Sequence, residues 1–181
     1  WPSSCKTKVK TDALTRFGIQ TNAANAFNGR TITTFYNNPG RMTLGRWPCF
    51  YKNGTSLNGG LPQLGNLTAH LAQVRLDVAR LLPEDFSGLA VIDWEVWKPW
   101  LDEGDRSVYF NKSLELTHGD VASAIAAFNT SSLEFMVQTL QAAKEVRPNG
   151  RWGYFGVVGC TFDVDTEACR PEFQRRNDAM L

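Results

Sequence analysis

Two carboxylates that follow an apolar run are the strongest chemical signal in this sequence. Val91 and Ile92 lead directly into Asp93, Trp94 and Glu95. Residues two apart in a β-strand share a face, so Asp93 and Glu95 are predicted to lie side by side, with Trp94 pointing the other way. Neighbouring carboxylates resist ionising together, and the group that keeps its proton is an acid at mild pH. That is glycosidase chemistry, although the same spacing also occurs at solvated strand ends.

The segments around this pair alternate between strand and helix patterns. Three apolar or β-branched runs typical of strands occupy residues 31–36, 88–92 and 152–158. The apolar run at 88–92 is predicted to be a strand buried on both faces. Helical periodicity extends from Leu67 to Leu82 and, in two stretches with Asp120 as the N-cap, over residues 121–143. This alternation predicts an α/β fold with a parallel sheet or barrel, whose carboxyl edge would carry the acidic pair.

The number of strands limits the architecture. Three clear strands are too few to close an eight-stranded barrel, which takes about 250 residues. The 181 residues are therefore expected to form an open sheet or a segment of something larger. Residues 17–20 are a weak additional strand candidate, and residues 170–181 resemble the start of a helix.

The composition excludes several classes of protein. With 43% hydrophobic and 12% aromatic residues, the chain can build a core and is not disordered. Nineteen Lys and Arg against eighteen Asp and Glu give a formal charge of +1, which argues against nucleic-acid binding through phosphate neutralisation. No apolar run approaches the ~20 residues of a membrane span. The first residues lack a signal-peptide pattern, so we expect any signal peptide to have been removed.

Cysteines and glycosylation sequons favour a secreted or lysosomal protein of the secretory pathway. Cys160 and Cys169 bracket a short polar loop and are expected to form a disulfide; the alternative is two unrelated buried thiols. Four Asn-X-Ser/Thr sequons begin at Asn53, Asn66, Asn111 and Asn129. Asn111 is expected in a loop, Asn129 on the polar side of a helix, and Asn66 is alternatively a helix cap.

Metal sites have little support in the sequence. The four cysteines form no C-x-x-C pair and the two histidines are far apart, so a zinc site is not expected. Acidic residues at 163, 165 and 167 resemble part of a calcium loop, but the glycine that an EF-hand requires is missing.

The run from Gly88 to Pro99 (GLAVIDWEVWKP) resembles the G-x-A-V-I-D-W-E-x-W-x-P signature of animal hyaluronidases. Further blocks also resemble segments of the family and occur in the same order along the chain. They lie at residues 32–36 (ITTFY), 44–48 (LGRWP), 58–63 (NGGLPQ), 111–113 (NKS), 147–148 (RP), 152–154 (WGY) and 176–178 (RND). The resemblance covers nearly the whole chain.

This resemblance implies a distorted (β/α) barrel with one strand fewer than usual. Residues 1–181 would form a partial catalytic domain that lacks the first strand and the C-terminal half of the barrel. The implied activity is endo-acting hydrolysis of hyaluronan or chondroitin at the N-acetylhexosaminide bond, with substrate-assisted retention. Glu95 would be the acid, and Asp93 would orient the acetamido group. No metal or cofactor is implied, and a second polypeptide segment would complete the barrel.

The same resemblance implies a substrate groove. Its expected residues are Tyr36, Tyr154, Phe155 and Trp97, although Trp97 is alternatively a packing residue behind the site. Phe155 stands where the family usually has a second tyrosine, and residues 101–105 lack the usual Asn-Trp-Gly. Cys5 in the family bridges to a cysteine beyond this segment, so here it either pairs with Cys49, which has no placed counterpart, or lacks its partner. These departures keep open a second interpretation, that the chain is a catalytically silent structural or glycan-binding relative.

Overall fold

The computed structural model describes residues 14, 16–36, 42–101 and 107–156. Within them the strands are β1 (Ile32–Tyr36), β2 (Cys49–Phe50), β3 (Ser56–Leu57), β4 (Leu89–Asp93) and β5 (Arg151–Tyr154). The α-helices are α1 (Leu67–Leu81), α2 (Val108–Leu116) and α3 (Val121–Val146), and short 3₁₀ turns lie at Ala23–Asn25 and Pro62–Leu64.

The central sheet confirms the predicted strand–helix alternation. Its three strands run parallel in the order β1-β4-β5, while β2 and β3 form a separate antiparallel pair. Helix α1 lies in the connection from β1 to β4, and helices α2 and α3 lie in the connection from β4 to β5. All three parallel strands therefore end at the same edge of the sheet, which is where α/β proteins place their sites.

The two faces of this sheet differ in burial. Phe35, Ala90 and Ile92 are fully buried on the face that packs against the helices. On the opposite face Leu89 is 40% exposed and Val91 is half-buried. The prediction that this strand is buried on both faces is therefore wrong for the described residues, because no layer among them covers the second face. A barrel wall with an open interior has this pattern.

The helices begin at the caps that the sequence indicates. The Asn66 side chain accepts a hydrogen bond from the Ala69 amide (2.9 Å) at the start of α1, and Asp120 accepts one from the Ser123 amide (3.2 Å) at the start of α3. Helix α3 is continuous over 26 residues, where the sequence predicts two stretches. Its central Ser132 is fully buried and donates a hydrogen bond to the Asn129 carbonyl within the helix.

Other sequence predictions differ from the structure or fall beyond it. Residues 16–18 form a turn, so the weak strand candidate at 17–20 is wrong, and helix α2 has no counterpart in the sequence analysis. The predictions that lie outside the described residues concern Cys5, the Cys160–Cys169 disulfide, the alternative calcium loop, most of the 101–105 departure and the helix start at 170. Cys49 is buried and forms no disulfide with any described residue. No helix in the described part of the chain has the length and apolar character needed to cross a membrane.

A buried arginine joins the ends of two helices behind the sheet. Arg147 is 7% exposed, and its guanidinium donates to the carbonyls of Leu82 (2.6 Å) and Ala79 (3.1 Å) at the end of α1. These carbonyls have no partner within the helix, and a cation there also favours the helix dipole. The contact fixes the point at which the chain leaves α3 and enters β5.

Candidate active site

The ends of the parallel strands bring the predicted site residues to one edge of the sheet. In the strand register Tyr36 of β1 is paired with Asp93 of β4, and Ile92 is paired with Tyr154 of β5. Paired residues of parallel strands share a face. The side chains of Tyr36 and Asp93 therefore leave the sheet together on the face that is open in the described residues.

Asp93 is the last residue of β4 and is half-buried. Its Oδ1 atom is fully buried and accepts no hydrogen bond from any described residue. Burial raises the pKa of this carboxyl, and the negative charge of Glu95 raises it further, while the ammonium of Lys98 acts in the opposite direction. Asp93 therefore takes up a proton more readily than an isolated aspartate and still has an acceptor atom to offer.

Glu95 lies just beyond the end of β4. The strand is therefore shorter than predicted, because only Asp93 of the two carboxylates belongs to it. The alternation of burial nevertheless continues, since Trp94 is 2% exposed and Glu95 is exposed. The charge of Glu95 acts on Asp93, as expected for neighbouring carboxylates. The Glu95 side chain is exposed to solvent, while Asp93 is held at the strand end.

Lys98 is a site residue that the sequence analysis did not single out. Its Nζ donates a hydrogen bond to the Gly156 carbonyl, which joins the segment after β4 to the end of β5. The same ammonium lowers the pKa of Asp93. A cation three residues after Glu95 was the available signal, but its contact to Gly156 depends on the sheet and cannot be found from spacing.

Tyr36 is held beside the acidic pair by its backbone and its ring. The Tyr36 amide donates to the Met42 carbonyl (2.6 Å), and Tyr36 also forms an isolated parallel bridge with Thr43. Its ring stacks against Phe27, with 6.4 Å between the ring centroids. The segment that follows β1 thus returns to the strand end and builds a wall next to the site.

Tyr154 does not lie on the groove side, so its predicted place among the groove residues needs correction. It is paired with buried Ile92, and therefore faces the helices. Its hydroxyl donates to the Met136 carbonyl of α3 (2.9 Å), and its ring packs against Trp94. Burial holds the pKa of this hydroxyl well above its usual value.

Trp97 needs a similar correction. The side chain is 6% exposed, and its Nε1 donates to the Pro48 carbonyl (2.8 Å). Its ring stacks on Trp47, with 4.0 Å between the ring centroids. These contacts place Trp97 in the packing behind the site, which is the alternative that the sequence left open.

Phe155 directly follows the end of β5. Its amide donates to the Ile92 carbonyl (2.9 Å), which continues the β4–β5 ladder by one residue. Phe155 therefore follows Asp93 on the open face, and its side chain is 56% exposed. An apolar ring is thus presented next to the acidic pair.

A pocket of about 180 Å³ opens beside Tyr36. Its walls come from the segment that returns to the end of β1 and from β3; the lining residues are Tyr36, Thr43, Leu44, Gly45, Arg46, Trp47 and Leu57. Most of these side chains are apolar or aromatic, which suits the faces of a sugar ring. Residues 44–48 form one of the blocks described above, but no sequence pattern assigns a function to Arg46.

The four sequons occupy different environments. Asn53 is exposed in the turn between β2 and β3, and Asn66 is exposed at its cap position. Asn111 is exposed but lies within α2, not in the predicted loop. Asn129 is half-buried, and its side-chain oxygen accepts a hydrogen bond from the Leu101 amide (2.6 Å), so the expectation of an accessible polar helix face is only partly met.

Within the described ranges, no group of three or more His, Cys, Asp or Glu side chains could hold a metal ion.

Comparison with known proteins identifies relatives along nearly the entire chain. The chain is 36% identical to hyaluronidase-1 of Mus musculus over 169 residues, which cover 86% of this chain and 36% of that protein. It is 33% identical to the hyaluronidase of Echis ocellatus, over 99% of this chain and 43% of the relative. The chain thus spans less than half the length of these relatives.

Solved structures agree with this likeness. Bee venom hyaluronidase in complex with a hyaluronic acid tetramer matches with a TM-score of 0.76 and 30% identity, over 93% of this chain and 56% of that chain. The fold is accordingly part of a barrel of the hyaluronidase type. The hyaluronidase family matches residues 2–181. This chain belongs to the hyaluronidase family.

Proposed function

We propose that this chain carries the catalytic carboxylates of an endo-acting hydrolase that cleaves hyaluronan or chondroitin at the N-acetylhexosaminide bond. The observation that carries the proposal is the Asp93–Glu95 pair at the carboxyl edge of the sheet, with a buried, unpartnered Oδ1 on Asp93 and an exposed carboxyl on Glu95. Relatives named hyaluronidase, and a related structure that holds a hyaluronic acid tetramer, support this substrate class.

In the first step Glu95 donates its proton to the glycosidic oxygen as the bond to the anomeric carbon breaks. The acetamido oxygen of the same sugar attacks that carbon from the opposite side and forms a cyclic oxazolinium ion. Asp93 accepts a hydrogen bond from the acetamido N–H and stabilises the positive charge that develops on the ring. The buried Oδ1 of Asp93 suits this role because it has acceptor capacity that no described donor uses.

In the second step a water molecule attacks the anomeric carbon and reopens the oxazolinium ring. Glu95, now a carboxylate, removes the proton from that water and returns to its acid form. Two inversions at the same carbon retain the configuration of the product. The pair needs one proton between its two carboxyls, and in the reactive state that proton is on Glu95 while Asp93 accepts from the acetamido N–H.

Further strands complete the barrel in this proposal, supplied by another polypeptide segment. In the described residues β1 and β5 each pair with a single strand of the sheet, and Leu89 and Phe155 are exposed on its open face. Such a face needs a partner to bury it. Without the opposite wall the sugar is not held in an attack geometry, so residues 1–181 alone should not hydrolyse the polymer.

We place the protein in the secretory pathway, as a secreted or lysosomal glycoprotein with a Cys160–Cys169 disulfide. The support is the set of exposed asparagines at Asn53, Asn66 and Asn111, each within an Asn-X-Ser/Thr sequon. Peptide mapping under non-reducing conditions tests the disulfide, since it would recover both cysteines as free thiols if the pairing were wrong.

The second candidate is a catalytically silent glycan-binding protein. Phe155 favours it, since this exposed ring offers no hydroxyl to the reacting sugar. Incubating the complete mature protein with hyaluronan and with chondroitin separates the two candidates. We expect shortened chains and, by NMR, new reducing ends of retained configuration. If the protein binds either polymer and shortens neither, its function is glycan binding without catalysis.

A further inference from the structure

Arg46 stands at the pocket beside Tyr36, and its backbone is fixed from two directions. The Arg46 amide donates to Nδ1 of the buried His70 (2.9 Å), and the Arg46 carbonyl accepts from Nδ2 of Asn58 (2.7 Å). The preceding Gly45 amide donates to the Asp77 carboxylate (2.9 Å). The direction in which the Arg46 side chain leaves the backbone is therefore set by the surrounding fold, although the side chain itself is exposed.

The guanidinium of Arg46 has no carboxylate partner among the described residues, whose ion pairs are Arg30–Asp85, Arg75–Glu145, Arg80–Asp77 and Lys112–Glu115. The nearby Asp77 is 4% exposed, and its oxygens already accept from Arg80, Gln73 and the Gly45 amide. Arg46 lines the pocket, and its exposed side chain thus remains available to an anion that enters from solvent.

The pocket itself has the character of a sugar site with one cation. Leu44 and Trp47 are buried, Leu57 is half-buried, and together they give apolar walls. Tyr36 contributes to the same pocket and is the register partner of Asp93, so this one residue connects the pocket with the strand end that carries the acidic pair. A ligand with a ring, a carboxylate and a link to the reacting sugar would fit these surroundings.

We propose that Arg46 determines substrate specificity by binding the carboxylate of the uronic acid that flanks the reacting N-acetylhexosamine. This inference rests on the proposed function, because it takes the polymer at the acidic pair to be hyaluronan or chondroitin. A guanidinium binds a carboxylate through two parallel N–H···O bonds, which fixes orientation as well as charge. Arg46 then distinguishes a uronic acid polymer from a neutral polymer of N-acetylhexosamine.

The test compares hyaluronan oligosaccharides with the same oligosaccharides after their carboxyl groups are reduced to alcohols. In the complete mature protein, Arg46→Gln should lower kcat/KM for native oligosaccharides about 10- to 100-fold and change that for the reduced ones little. Arg46→Lys should recover part of the loss, because it keeps the charge without the second hydrogen bond. Arg151→Gln is the matched control, since Arg151 is exposed at the opposite end of the sheet.

Equal losses on both substrates, or no loss on the native one, would overturn the assignment of Arg46. If the wild-type protein does not cleave either oligosaccharide, the test measures the dissociation constants of the native and the reduced oligosaccharides instead. Weaker binding of only the native form in Arg46→Gln would support the Arg46 site while the hydrolase proposal fails. Cleavage of the native oligosaccharides at the wild-type rate by Arg46→Gln would support the hydrolase proposal and contradict the Arg46 site. Absence of both cleavage and binding in the wild type contradicts both proposals.

Discussion

Tyr36 and Asp93 are register partners at the carboxyl ends of two neighbouring parallel strands, and both side chains leave the sheet on its open face. One residue earlier, Phe35 and Ile92 are also partners and are fully buried against the helices. A slip of one residue in either strand would exchange the two faces. The packing of Phe35 and Ile92 on the helix side thus keeps Asp93 in the site.

Replacing Lys98 with methionine should move the acid limb of the pH profile of kcat/KM to higher pH. The Lys98 ammonium favours the charged form of Asp93 and lowers its pKa, so its removal raises that pKa. Asp93 then ionises only at higher pH, so the acid limb of the profile should move in that direction. The measurement is the position of the acid limb and not the height of the maximum, because Lys98→Met also removes a hydrogen bond to Gly156.

Lys112→Met is the control for this experiment. Lys112 is exposed on α2 and pairs with Glu115, away from the carboxyl edge of the sheet. Its removal should leave both limbs in place. A Lys98→Met profile that coincides with the wild type, or moves to lower pH, would show that this ammonium does not tune the acidic pair.

Introducing a hydroxyl at position 155 should increase activity. Phe155 is 56% exposed on the face that carries Asp93, so Phe155→Tyr adds a donor next to the reacting sugar without burying a polar atom. A hydrogen bond made in the transition state is worth about 1–3 kcal/mol, so kcat should rise about 5- to 150-fold. An unchanged or lower kcat would argue against the placement of residue 155 in the groove.

Tyr154→Phe provides the contrasting variant one residue earlier. The Tyr154 hydroxyl donates to the Met136 carbonyl on the helix side. Its removal should lower the free energy of unfolding by about 1 kcal/mol, which urea denaturation can measure. The KM for hyaluronan should not change, and a large rise in KM would return Tyr154 to the groove.

The buried His70 should make stability depend on pH. Its Nδ1 accepts from the Arg46 amide and its Nε2 contacts the Thr139 hydroxyl, and burial lowers its pKa from 6.5 to about 4. The unfolded chain binds the proton near pH 6.5 and the folded chain only near pH 4. The stabilisation is therefore complete above pH 6.5 and is lost as the pH falls to about 4, a change of about 3 kcal/mol.

NMR of the histidine rings checks this value directly. The Cε1–H resonance of His70 should stay at its neutral position until the pH approaches 4. A His70 midpoint near 6.5 would contradict the burial of an uncharged ring between α1 and the pocket segment.

Glycan mapping should separate the sequons. Asn53 and Asn111 are exposed and should carry glycans when the protein is made in a eukaryotic secretory host, whereas Asn129 holds the Leu101 amide and should be unmodified. Mass spectrometry after enzymatic deglycosylation reads the occupied positions. A glycan at Asn129, or none at Asn53 and Asn111, would contradict this ranking.

The sequence was informative where local pattern decides the structure. The apolar run before Asp93, the β-branched run before Tyr36 and the cap at Asp120 all produced the predicted elements, because alternation and capping are properties of neighbouring residues. The resemblance of the surrounding blocks to the hyaluronidase family supplied the proposed roles of the two carboxylates, which their spacing alone could not provide.

The sequence was least informative where distant segments decide. Tyr154 and Phe155 are neighbours of similar character, and only the register of β5 against β4 determines which of them faces the site. Arg46 owes its fixed backbone to His70 and Asn58, which lie elsewhere in the chain. Contacts of this kind leave no periodic signal in the sequence.

Hyaluronan depolymerisation by Glu95→Gln in the complete mature protein tests the central claim, that Glu95 is the acid. The amide cannot donate a proton to the leaving oxygen, so the rate should fall at least about 1000-fold, while the dissociation constant for hyaluronan oligosaccharides stays near that of the wild type. Glu84→Gln is the matched control, because Glu84 is exposed before β4 at the opposite end of the sheet, and it should keep the full rate. A Glu95→Gln variant that depolymerises hyaluronan at a near-normal rate would contradict the account.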